Sequence, residues 1–410
     1  MVNGANALIP FLLLPVLTRY LTAAQYGELA IFTIWVSFIT VFCGLNVFAA
    51  ADRKYFELKE DTSELAKYIY NCILILLIST SFVVIMSITF IDLMSTVLNL
   101  GKTLVLIGIV VAFCNVLIQM RLGQWQVRNS PIKFGIFLIS LSLTNLVVSL
   151  FLVVNLDMQI EGRVLGIVFS AAIFFIIGFL SLQKDRLLSP TLSAIYIRDA
   201  LKFGVPLIPH VVGFFLILGI DRAFISHKLG SESAGIYMVA VQFSLAVSII
   251  LNAINKAFSP WLFNILNGDS YSEKLKVVRI TYSLYILISV GVVLSFFVSS
   301  SLVNLIVGPD FTDAALLVPF LILGQGIKGF YLLVTNYMFY EKKTEVISAV
   351  TISAGLINVI LLTFAIDFFG ILGAAYSFIF SITIQWLLTW YIANKYVNMP
   401  WLSALYRSDS

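Results

Sequence analysis

Twelve apolar runs follow one another along this chain, and nothing else in it restricts the fold so strongly. A helix needs ~20 apolar residues to cross the hydrocarbon core of a bilayer, where a backbone polar group left unpaired costs several kcal/mol. The runs lie near residues 3–22, 29–51, 68–91, 104–122, 134–156, 164–182, 203–226, 235–257, 281–305, 314–339, 346–368 and 372–393. Only 11% of the 410 residues are charged and 60% are hydrophobic, whereas soluble domains carry about 25% charged residues. The fold expected is an all-α integral membrane protein of about 12 transmembrane helices. Its connections are short and leave no room for a soluble catalytic domain. There is no nucleotide-binding loop of Walker type and no zinc-ligand spacing, so no enzymatic activity, metal, cofactor or nucleic-acid partner is expected. Cys43, Cys72 and Cys114 all fall in apolar runs, where they read as small buried hydrophobes.

The cations set the direction. Arg19, Lys102, Arg163, Arg222 and Lys228 are assigned to the odd-numbered connections, and Lys328 falls deep inside span 10. Removing these six from the 25 Lys and Arg leaves nineteen on the even-numbered connections, the C-terminus and the span ends beside them. Loops rich in Lys and Arg stay on the cytoplasmic side, so both termini are expected there. The organisation expected is a six-helix bundle over 1–183, a cytoplasmic linker over 184–202 with an interfacial helix, a second six-helix bundle over 203–394, and a cytoplasmic tail over 395–410.

The chain also repeats itself. YLTAAQYGELAIF, from Tyr20, resembles KLGSESAGIYMVA, from Lys228: Leu21 and Gly27 answer Leu229 and Gly235 at an offset of 208. EGRVLGIVFS at the start of span 6 similarly answers FGILGAAYS at the start of span 12. Spans 1 and 7 each hold two prolines, Pro10 with Pro15 and Pro206 with Pro209. Six spans followed by six related spans form a transporter architecture with the substrate path between halves. Six is even, so the halves share an orientation and an axis along the membrane normal. Carried back, the offset puts the counterpart of the start of span 7 before Met1, and a short cytoplasmic segment is expected to precede it.

Polar residues within such runs are candidates for function, because a charge at the bilayer centre costs ~2.5–3.5 kcal/mol on insertion scales. Span 7 holds His210 and Asp221, which stand eleven apart on a helix and so share one stripe, with Arg222 beside it. Two readings stand for Asp221 and Arg222: salt bridges to neighbouring spans, or a lumen-facing substrate site. Lys328 lies in LILGQGIKGFYLLVTNYMF, on one stripe with Gln325 and Asn336, and reads as facing a hydrated cavity. Span 4 carries Asn115 and Gln119 at similar helical spacing. For these amides, hydrogen bonding between helices is the competing reading. Arg19, Arg53 and Lys256 sit near span ends, where snorkelling to the interface competes with a cavity role. The balance is cationic, with Asp221 the one buried acid against Arg222, Lys328 and these three. A cationic pocket in a low-dielectric wall attracts an anion, and phosphate is the natural candidate.

IPFLLLPVLTRYLTAAQYGELAIF, DRAFISHKLGSESAGIY and FGILGAAYSFIFS resemble the signature stretches of bacterial polysaccharide flippases. These are the O-antigen and capsule repeat-unit translocases of the multidrug/oligosaccharidyl-lipid/polysaccharide superfamily. The resemblance covers essentially the whole chain. It implies a V-shaped, MATE-like bundle of two six-helix repeats in the bacterial inner membrane. It also implies alternating-access movement of an undecaprenyl-pyrophosphate-linked oligosaccharide, with polysaccharide polymerase and chain-length machinery as further partners. The positions that match its cationic cavity are Arg222 and Lys328, backed by Arg19, Arg53 and Lys256, with Asp221, His210, Gln325, Asn336, Asn115 and Gln119 as supporting polar groups. Two rivals remain. A drug–cation antiporter of the same superfamily calls for acids within its spans, and only Asp221 offers one. A membrane polysaccharide polymerase calls for a large outer loop, and the outer connections here are short.

Overall fold

The computed structural model describes residues 2–268 and 270–403, with side chains described from Phe11 onward. All regular structure among the described residues is helical. In order these are α1 (Val2–Tyr20), α2 (Ala23–Gly44), α3 (Val47–Glu57), α4 (Thr62–Thr89), α5 (Ile91–Leu98), α6 (Lys102–Val127), α7 (Pro131–Leu150) and α8 (Gln159–Lys184). Then come α9 (Ala194–Gly204), α10 (Ile208–Leu218), α11 (Ile220–Leu229), α12 (Ser231–Gly268), α13 (Tyr271–Ile306), α14 (Ala314–Tyr340), α15 (Thr344–Phe369) and α16 (Ile371–Tyr396). Among the described residues, 11 helical stretches are long and apolar enough to cross a membrane, and α1 contributes a shorter apolar stretch over Phe11–Tyr20. The chain is a multi-pass membrane protein.

Local chemistry explains several boundaries. At the start of α2 the Thr22 hydroxyl accepts the Gln25 backbone N–H at 3.3 Å, and the Gln25 side chain accepts the Thr22 N–H at 3.1 Å. This reciprocal cap satisfies two donors that a helix start leaves unpaired. Asp61 caps α4 by accepting the Glu64 N–H at 3.0 Å.

Two of the expected spans are interrupted. The run 29–51 stops at Gly44, because Leu45 and Asn46 both adopt left-handed backbone (φ 44° and 56°) before α3 begins. Gly44 is needed there, since a Cβ would stand 2.7 Å from a methyl of Val116. Asn tolerates the left-handed region, and the Asn46 amide donates to the Gly204 carbonyl at 3.2 Å. The run 203–226 is built from the end of α9, a short 3-10 turn over Val205–Leu207, α10, a break at Gly219, and α11. Pro206 lies in the turn, where its missing N–H is harmless.

The chain forms two compact units. One comprises the described residues up to Val212 together with Ser226–Gly235; the other comprises Gly213–Ile225 and the residues from Ile236 on. In the first unit α6 packs on α2 and α8, and α7 packs on α8. Trp35 is buried there, its indole N–H donating to the Val105 carbonyl at 2.9 Å. The linker expected over 184–202 contains most of α9, which docks on α3 and α4. In the second unit α16 packs against α14 and α15. The described part of the expected tail packs into this unit: Trp401 is buried among Tyr282, Tyr337 and Trp390, and its carbonyl accepts the Tyr282 hydroxyl at 3.1 Å.

Apolar side chains also cover much of the outside. On α13, Ile286, Val290, Val293 and Phe297 recur at helical spacing and are 50% to 77% exposed. Such a face would be an aggregation hazard in water and is the ordinary lipid-facing surface of a membrane helix.

Candidate functional site

Asp221 and Arg222 sit in the first turn of α11, just past the Gly219 break, and both are buried. They pair with each other. Arg222 Nη1 lies 3.2 Å from Asp221 Oδ1, which also accepts the Arg222 backbone N–H at 2.9 Å. Tyr237 on α12 donates its hydroxyl to Asp221 Oδ2 at 2.8 Å. The same Nη1 reaches the Leu218 carbonyl at the end of α10, while the buried Arg222 Nε has no partner. So the acid is fully engaged and the guanidinium is only partly so. His210 is half-buried near the start of α10. The break at Gly219 removes the continuous helix that would put it on one stripe with Asp221.

Lys328 lies midway along α14 and is half-buried. Among the described residues its ammonium makes no hydrogen bond or ion pair. Gln325, one turn away, is buried with its Oε1 unsatisfied. Asn336 is buried and tied between helices, its Nδ2 donating to Asn255 Oδ1 on α12 at 2.7 Å. The stripe read from the sequence thus divides: Asn336 holds two helices together, while Lys328 and Gln325 keep unused polar capacity.

The remaining cations divide in a similar way. Arg53 on α3 is engaged, with Nη2 2.7 Å from Asp199 Oδ2 of α9, Nη1 3.7 Å from Glu57, and its guanidinium over the Phe203 ring. Arg19 is exposed and donates to the Pro15 carbonyl of its own helix at 2.7 Å. Lys256 is exposed on α12, beside Asn252 and Asn255. Gln119 is exposed on α6, whereas Asn115 on the same helix lines a cavity.

That cavity, of about 360 Å³, lies wholly within the first unit and contains a residue that the sequence reading put among the outer loop cations. Arg163, near the start of α8, points its guanidinium into a polar wall: Nη1 donates to Asn145 Oδ1 at 2.8 Å and to Ser149 Oγ at 2.7 Å, both on α7. The Asn145 amide donates onward to Ser170 at 3.0 Å. Gly166 allows this approach, because a Cβ there would lie 2.2 Å from the Ser149 hydroxyl. The signal was present in the sequence as Asn145 and Ser149, four apart on one face of span 5, facing a span that opens with Arg163. By contrast Arg121, 1% exposed, is neutralised by an ion pair with Asp185 and stacks 4.0 Å from the Trp125 ring. Among the described residues no three His, Cys, Asp or Glu gather as metal ligands. What these arrangements offer is cationic and hydrogen-bonding contact within apolar helices, which suits holding an anion.

A family model described as polysaccharide biosynthesis protein matches residues 1–266. The chain belongs to that family. It is 26% identical over 390 residues to Lsg locus putative protein 1 of Haemophilus influenzae, covering 90% of this chain and 92% of the relative. An uncharacterized membrane protein of the same organism is 27% identical over 355 residues, covering 83% and 82%. Among solved structures, the lipid II flippase MurJ in its inward closed conformation superposes with a TM-score of 0.77 at 16% identity, over 100% of this chain and 93% of the other. An inward-facing multidrug resistance MATE family transporter of the MOP superfamily gives 0.74 at 13% identity, over 100% and 96%. At such identities the likeness is one of fold, and the fold is that of MATE transporters and MurJ.

Proposed function

We propose that the protein is a translocase that carries undecaprenyl-pyrophosphate-linked oligosaccharide repeat units across the bacterial inner membrane by alternating access. The product feeds O-antigen, capsule or a related surface polysaccharide, and both termini lie in the cytoplasm. The observation that carries this reading is Lys328. An ammonium midway along an apolar helix, with no carboxylate or hydrogen-bond acceptor engaged among the described residues, calls for an anionic partner. A pyrophosphate is such a partner, and family membership makes a lipid-linked glycan its natural carrier. Arg222 is the second station. Its guanidinium has an unpartnered Nε, and Asp221 balances its charge while no substrate is present. Polysaccharide polymerase and chain-length machinery act on what is delivered.

Deleting the gene tests the reading. Lipid-linked repeat units should accumulate on the cytoplasmic face while surface polysaccharide disappears. Persistent surface polymer together with reduced drug tolerance would replace the translocase with a drug antiporter.

A further inference from the structure

The Arg163 cavity takes no part in the reading above and has a chemistry of its own. Among the described residues its guanidinium is the sole charged group on a wall that is otherwise amide, hydroxyl and hydrocarbon. Nη1 is spent on Asn145 and Ser149, while Nε is buried without a partner and Nη2 makes no hydrogen bond among the described residues. Among the described residues no carboxylate pairs with it there. On α2, the Thr33 hydroxyl donates to the Ala30 carbonyl at 2.9 Å and the Ser37 hydroxyl to the Thr33 carbonyl at 2.8 Å. Both oxygens therefore keep lone pairs for an incoming donor. Asn115 on α6 adds an amide, which both donates and accepts.

We propose that this cavity binds a carboxylate-bearing sugar, with Arg163 Nη2 taking the carboxylate and Thr33, Ser37 and Asn115 taking ring hydroxyls. A single uncompensated cation matches one negative charge, which favours a carboxylate over a diphosphate. A volume of about 360 Å³ is many times the ~30 Å³ that one water occupies, so a lone halide would leave most of it unfilled. The hydrocarbon part of the wall suits the apolar face of a pyranose ring. That the sugar belongs to the transported repeat unit rests on the translocase reading; the site for an organic monoanion does not.

The test uses the full-length protein purified in lipid nanodiscs. Its thermal midpoint is measured with sodium glucuronate, with glucose and with sodium chloride at matched ionic strength. Glucuronate at millimolar concentration should raise the midpoint by several degrees, and glucose and chloride should not. Arg163→Gln should abolish the shift. Asn115→Asp places a carboxylate in the same cavity, so this variant should fold at least as well as the parent and also lose the glucuronate response. Equal stabilisation by glucose, equal stabilisation by chloride, no response to glucuronate, or a response undiminished in both variants would each overturn the proposal. Binding is read without transport, so a failed export assay leaves a positive result standing, and a negative result leaves the Lys328 and Arg222 reading untouched.

Discussion

Gly27 at the start of α2 and Gly235 at the start of α12 pack against each other's turns reciprocally. A Cβ on Gly27 would stand 1.8 Å from the Ser231 carbonyl oxygen, and one on Gly235 would stand 2.0 Å from that of Ala23. Both segments belong to the first unit. Adding the repeat offset of 208 to Ala23 and Gly27 gives Ser231 and Gly235. The contact is therefore made by equivalent residues of the two repeats, as a two-fold relation between these segments requires. The repeated glycine is a packing device, because only a residue without a side chain lets two backbones approach this closely.

This makes the first prediction. Gly27→Ala and Gly235→Ala should each reduce the yield of monodisperse protein, with a loss at or above the upper end of the ~1–3 kcal/mol typical of overpacking, since the obstructing atoms are backbone. Gly101→Ala is the control: a Cβ there meets nothing within 4 Å. Size-exclusion profiles of fluorescent fusions read all three. Normal profiles for both tight glycines would contradict the packing.

The second prediction concerns the cationic stations. Lys328→Ala and Arg222→Gln should abolish export of lipid-linked units at normal membrane abundance. Lys328→Arg should retain part of it, because the charge survives although the guanidinium has a different shape. Asp221→Asn should be milder than either loss of cation, since the amide oxygen still accepts the Arg222 N–H and the amide NH2 can donate to the Tyr237 hydroxyl oxygen in place of Oδ2. Normal export by Lys328→Ala alongside an inactive, well-expressed Asp221→Asn would remove the anion site and turn attention to cation or proton coupling at Asp221.

Helix positions were legible in the sequence because apolar run length is a property of the chain itself. Every expected run contains or overlaps described helix, from α1 to α16. The interruptions were not legible. Leu45–Asn46 and Gly219 lie inside apolar windows, and a hydropathy average sees residue type without the backbone angle that breaks the helix. Arg163 was hidden for a different reason. Counting cations to orient spans treats any cation near a run's edge as a loop residue, and α8 begins at Gln159, earlier than its apolar run. Lys328 stood out because no loop assignment could absorb it. Whether a cation is already paired, as Arg53 is with Asp199, depends on contacts 146 residues apart in sequence, which periodicity cannot reach.

That pair supports the third prediction. Asp199 on α9 accepts from Arg53 at 2.7 Å and from the Tyr68 hydroxyl at 2.8 Å, with Lys54 at 3.9 Å. The cluster pins α9 to α3 and α4. Both side chains of the ion pair are about a third exposed, so the pair itself contributes no more than ~1 kcal/mol. Arg53→Ala and Asp199→Asn should lower the thermal midpoint by similar small amounts, and the double variant should lose less than their sum. If Arg53 instead served the substrate, Arg53→Ala would impair export far more than Asp199→Asn at equal abundance. Measuring both variants side by side separates the two roles.

The last prediction is a pH dependence centred on Asp52. This residue lies on α3, outside the helices that span the membrane, with its carboxyl against Gly123, where a Cβ would come within 2.1 Å of Oδ2. Burial pushes the carboxyl up to about 7, and the Gln124 amide, donating to Oδ1 at 3.1 Å, offsets that only in part. An ordinary Asp titrates near ~3.9, so between those two values the folded protein holds a proton that the unfolded chain has released. When the folded state binds more protons, stability falls as pH rises. The contribution is therefore absent below about pH 4, grows through the window up to about pH 7, and is constant above it. Asp52→Asn keeps an acceptor for Gln124 and cannot ionise. The wild-type midpoint should thus fall between pH 5 and pH 8 by more than that of the variant, and Asp52→Asn should be the more stable protein at pH 8. Parallel pH profiles would mean that Asp52 is ionised and hydrated in the folded state.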